Sequence, residues 1–188
     1  GGCRATRRRA AAPVTVAPET LAATAYEFAG VESRESRQRV GIGPAAWRVT
    51  VVSRVATHER AVEVPELGSA RIAATVVLST PVVRVFGADR SPVADASAAD
   101  LAARAAAERD RLTVSEPTGR RTVRTLGTTA TLARFAGTTR VGPVGVPTTV
   151  YVAAVTHEDD HVVAAAAHPS WLDEEETVVR LVEGLSHG

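Results

Sequence analysis

The chain has 188 residues, enough for one domain with a sizeable core. Its formal net charge is +1, with 22 Lys plus Arg against 21 Asp plus Glu, and every cation is arginine. That balance argues against nucleic acid as a partner, which calls for a concentrated basic excess. A single cysteine excludes a disulfide framework and two-cysteine metal or redox motifs.

The N-terminal stretch is Gly1-Gly2-Cys3 followed by a basic run that includes Arg7-Arg8-Arg9 and ends before Pro13. A small-small-cysteine triplet ahead of a charged, proline-interrupted segment is the pattern left by a trimmed lipoprotein signal. Residues 1–13 therefore read as a lipid-anchor remnant and flexible basic tether, with Cys3 as the lipid attachment point. Residues 14–188 read as a single domain. The arginine cluster reads as a solvated tether, or as a contact with anionic headgroups. No stretch approaches the roughly 20 apolar residues of a membrane-spanning helix.

Val14 to Val16 predicts a short strand. Pro18-Glu19-Thr20 predicts the opening of a short helix, since proline suits the first turn and glutamate the positive end of the dipole. Tyr26 to Val31 is strand-like, and the polar stretch from Glu32 to Arg39 predicts an exposed hairpin arm or loop. Trp47 to Val55 and Ala70 to Leu78 alternate as strands, separated by a turn at Pro65 to Gly68. His58, beside Glu59 and Arg60, predicts an exposed strand end.

Ser97 with Asp100 forms a capping-box pattern at the start of a central amphipathic helix, whose apolar stripe is Leu101, Ala102, Ala105 and Leu112. Strands follow at Arg121 to Leu126 and Thr128 to Ala136, with a connector between Val141 and Pro147. Thr149 to Thr156 and His161 to His168 predict a hairpin around Glu158-Asp159-Asp160. Asp173 predicts the cap of a last helix, whose stripe of Val178, Leu181, Val182 and Leu185 must be buried. The alanine-rich strand from Val162 to Ala167 predicts close approach of a helix. The expected fold class is α+β: a twisted antiparallel sheet with a central helix and a C-terminal helix packed on it.

The densest polar cluster is His157-Glu-Asp-Asp-His161. It reads as a solvated hairpin tip, with His157 and His161 as possible metal ligands. Trp47 and Trp171 are possible binding aromatics, although Trp171 also suits a role pinning the last helix to the sheet. No nucleophile elbow or phosphate loop is present, so no catalytic residue and no cofactor is read from the sequence.

The order and spacing of Leu78-Ser-Thr-Pro81, Ser91-Pro-Val-Ala-Asp95, Leu126-Gly-Thr128, Phe135, His157, Pro169, Leu172-Asp-Glu-Glu175 and Leu181-Val-Glu-Gly184 resemble a family of uncharacterised haloarchaeal lipoproteins. The resemblance covers about Leu21 to His187. It implies a secreted, lipid-anchored protein on the outer face of the cell membrane, with Cys3 acylated and no assigned reaction. The element order also resembles the PsbP-type α+β fold. The function expected is a non-enzymatic, membrane-anchored module that binds a protein or small ligand, the alternative being a cell-envelope hydrolase or metal-dependent enzyme.

Overall fold

A computed structural model describes residues 7–41, 43–85, 88–89, 91 and 93–187. Cys3 lies outside them. The described elements are, in order, β1 (Arg7–Ala10), β2 (Val14–Val16), α1 (Pro18–Ala22), β3 (Glu27–Val40), β4 (Trp47–Val64), β5 (Gly68–Pro81), β6 (Arg84–Val85), β7 (Ala88–Asp89), α2 (Ala98–Ala107), β8 (Leu112–Thr125), β9 (Thr128–Val141), β10 (Val144–His157), β11 (Asp160–Pro169), α3 (Glu175–Glu183) and β12 (Leu185–His187).

The expected α+β class is not what forms. Strands hold 64% of the structure and helices 15%, so the protein is mostly β. One eight-stranded sheet runs β1-β4-β5-β11-β10-β9-β8, with β3 also paired to β4. The helices are short, with 5, 10 and 9 residues. The discrepancy arises where sequence pattern is silent about pairing. The polar stretch from Glu32 to Arg39 belongs to the 14-residue β3, which pairs antiparallel with β4 from Glu27 to Val40. It lies at a sheet edge, where charges on both faces are tolerated and discourage pairing with other chains. The connector from Val141 to Pro147 is likewise strand except for a tight turn. Arg7–Ala10 of the expected tether pairs in parallel with Val49–Val52, and Arg8 forms an ion pair with Glu35 at 2.7 Å.

Pro117 sits in the other edge strand, β8, between two register shifts against β9. Edges and bulges are where a residue without an N–H fits. Gly137 marks a close approach: a Cβ there would lie 2.6 Å from the Thr113 carbonyl oxygen.

Strand alternation sends consecutive side chains to opposite faces, and each face has its own cover. On one face Tyr151, Ala153, Val162, Ala164 and Ala166 pack with Val178, Leu181 and Val182 of α3. The small β2–β12 sheet joins this layer through Val14, Val16 and Leu185. On the opposite face Phe135, Val150, Val152, Val163, Ala165 and Ala167 meet Leu101 and Ala102 of α2. The helices thus lie on opposite sides of one sheet. Ser97 and Asp100 cap α2 reciprocally, as their spacing predicts. Asp173 does not cap α3: the N-cap is Glu174, whose carboxylate is buried in an ion pair with Arg60.

Candidate functional site

Packing on the α2 face leaves an apolar opening. α2 is built largely of alanine, and so is the stretch of β11 beneath it. Small side chains on both surfaces would permit close approach. Instead a groove of about 350 Å³ remains between helix and sheet. Val55, Val76, Leu78 and Val163 line it from the strands, and Leu101 and Ala105 from the helix. Val76 and Leu78 are only half-buried although they belong to a central strand. Arg34 and Glu108 lie at the same groove, paired at 2.6 Å. Ser53, Thr80 and Arg104 also line it, with the Ser53 hydroxyl donating to that of Thr80 at 2.9 Å. A mainly apolar cleft with a few polar groups and a volume within the roughly 300–1,000 Å³ usual for ligand sites has the form of a small-molecule pocket. No local pattern signals it, because its walls come from β3, β4, β5, α2 and β11, which only the sheet topology brings together.

The second cluster lies at the β10–β11 hairpin. The turn residues are Glu158 and Asp159, both with positive φ, 48° and 64°. Such a two-residue turn pairs His157 with Asp160 and Thr156 with His161. Directly paired residues share a face and their neighbours take the other, so His157 and His161 point to opposite sides and do not converge. The His161 Nε2 lies 2.6 Å from Asp89 Oδ2, and its Nδ1 lies 3.1 Å from the Thr156 hydroxyl.

His157 instead meets His187 of β12, the ring centroids 5.1 Å apart. One ligand atom from each of His157, Glu158 and His187 lies within 4.8 Å of the others. The His187 Nδ1 is 3.0 Å from Glu158 Oε2. Asp160, expected at a solvated tip, is buried at 6% exposure and accepts a hydrogen bond from the Ala12 N–H. His187 was not a sequence candidate. It is 30 positions from His157, and only the pairing of β12 with β2 brings it there.

A third, polar cleft of about 390 Å³ is lined by Thr118, Arg134, Tyr151, His168, Ser170 and Glu175, among others. His168 is buried, with its Nδ1 2.8 Å from the Pro169 carbonyl and its Nε2 3.0 Å from the Tyr151 hydroxyl. A carbonyl only accepts, so Nδ1 carries the proton and Nε2 accepts from Tyr151. Burial lowers the His168 pKa from its ordinary value. Burial also pushes the Tyr151 phenol up to about 12. Both groups are held neutral, the hydroxyl donates to the ring, and burial holds the phenol against losing its proton. Ser170 pairs with the Thr149 hydroxyl at 3.0 Å.

Of the two tryptophans, Trp47 packs half-buried against Val40, Val49, Val51 and Val83. Trp171 is 49% exposed. It is the neighbouring Leu172 that packs into the α3-side core.

A family model described as Domain of unknown function (DUF6517) matches residues 13–186, and the chain therefore belongs to that family. No curated protein matches it.

Proposed function

Starting from a family without a described activity, we propose that this chain is a binding module that takes a small apolar ligand in the groove beneath α2. The observation that carries the reading is the groove itself. It is lined mainly by aliphatic side chains, with Ser53, Thr80, Arg104 and the Arg34–Glu108 pair among them, and holds about 350 Å³. An enzyme needs titratable groups converging on a reacting atom. His168 has a backbone carbonyl, not a carboxylate, behind its ring, and the phenol in front of it has a pKa raised by burial.

Within the same proposal the module is held at the outer face of the cell membrane through Cys3. Its support is the small-small-cysteine triplet and the basic run that follows. A diacylglyceryl thioether on Cys3 would insert two acyl chains, which suffices for stable anchoring. The strand Arg7–Ala10 begins four residues after Cys3, so the body would sit close to the lipid surface. Intact-mass measurement of protein extracted from native membranes tests the anchor: a diacylglyceryl adduct on the peptide containing Cys3 supports it, and an unmodified thiol overturns it.

The groove is tested by titration with an apolar, environment-sensitive fluorophore. Ala105→Phe places a ring in the groove from the helix side. The variant is expected to bind the fluorophore at least roughly tenfold more weakly with an unchanged circular dichroism spectrum. Equal affinity in the folded variant would overturn the assignment.

A further inference from the structure

We propose that His157, Glu158 and His187 form a binding site for a divalent first-row transition-metal ion, with zinc as the representative, and that Asp160 orients His187 for it. The site does not depend on the groove beneath α2. It joins the β10–β11 hairpin to β12, the last described strand.

The ligand set is right for such an ion. Imidazole nitrogen and carboxylate oxygen are the donors that zinc takes alongside thiolate, and two histidines with one carboxylate leave a fourth position for water. The three groups need little adjustment. Their ligand atoms lie within 4.8 Å of one another, against about 3.3 Å between neighbouring ligands in a tetrahedral site with Zn–N near 2.0–2.1 Å. Glu158 is 70% exposed at a turn and free to swing. The His157 Nε2 already lies 3.7 Å from its Oε1.

A second observation comes from the far side of the His187 ring. Its Nε2 is shielded from solvent and has no aligned hydrogen-bond partner, although Asp160 Oδ2 stands 3.2 Å away. A small rotation of the ring brings Nε2–H onto that carboxylate. Nδ1, which donates to Glu158 Oε2 while no ion is bound, then yields its proton when a metal takes that place. A carboxylate that holds the outer nitrogen of a ligating histidine fixes its tautomer and its orientation. Asp160 is itself held, being 6% exposed and bonded to the Ala12 N–H.

Binding ties three parts of the chain together. His157 and Glu158 belong to the hairpin, His187 to β12, and His187 is paired in register with Val14 of β2. The ion would therefore hold the β2–β12 pair against the end of the large sheet.

The test uses the full chain, stripped with chelator and titrated with zinc sulfate by calorimetry, then with cobalt(II) as a spectroscopic stand-in. One zinc per chain is expected, with a higher melting temperature and an intense visible cobalt spectrum of tetrahedral type. His157→Gln, His187→Gln and Glu158→Gln should each weaken zinc by at least about tenfold. Glu158 is exposed, so its variant keeps the test valid if His187→Gln fails to fold. His161→Gln, on the opposite face, should bind as the parent does. The proposal is overturned if zinc produces no heat up to millimolar concentration, if Glu158→Gln and His157→Gln bind as tightly as the parent, or if His161→Gln loses binding to the same extent.

Discussion

His58 has no exposed surface. Its Nε2 accepts a hydrogen bond from the Val16 N–H at 3.3 Å, so protonating that nitrogen would set two donors against each other. Burial lowers the pKa of His58, and likewise that of His168, from the ordinary 6.5. In both cases the unfolded chain takes up a proton at a pH where the folded chain does not. Stability is therefore full above about pH 6.5 and falls as pH drops toward the depressed folded values, by up to about 1.4 kcal/mol per pH unit for each ring. Ring-carbon NMR titration checks this: both rings should titrate below the 6.5 of a free histidine. A ring that titrates at or above 6.5 removes the effect. Sequence reading placed His58 at an exposed strand end because Glu59 and Arg60 follow it. Alternation shows which residues share a face but not which face is covered, and the cover here is β2, 42 positions away.

The two helices differ in how firmly their stripes are seated, and this too was only partly legible. The i, i+3, i+4 spacing of Val178, Leu181 and Val182 predicted a buried stripe, and all three are buried. The capping box of α2 was equally plain, because both are local patterns. What no local pattern could show is that α3 lies against a filled face and α2 against an open one. Leu181 has 0% exposure and packs among Tyr151, Leu132 and Val178. Leu101 borders the groove. Leu181→Ala should cost about 2–5 kcal/mol, the usual range for a core truncation that leaves a cavity. Leu101→Ala should cost less, because the groove already opens beside it and little new void is created. Urea denaturation of both variants gives the comparison, and an equal or larger loss for Leu101→Ala would show that the α2 face is packed as tightly as the other.

At the scale of the molecule, long strands carry regions of unequal cover, and their stability should follow that cover. The middle of the sheet, β5, β11 and β10, has a helix or small sheet on each face and a paired strand on each side. The outer part of the β3–β4 ribbon differs. From Glu32 to Arg39 the side chains of β3 are exposed or half-buried. Its partner β4 is covered there mainly by the small cluster of Val40, Val49, Val51 and Val83. The backbone bonds of that arm are intact, but few apolar contacts hold them shut, so the arm opens at a lower free energy than the centre. Amide hydrogen exchange read by mass spectrometry should show residues 32–40 exchanging well before 150–166. Because β1 pairs with Val49–Val52, Arg7–Ala10 should exchange with the arm rather than with the core. Uniform protection from the arm to β11 would mean that the sheet opens as one cooperative unit, and that its uneven cover leaves no mark on its dynamics.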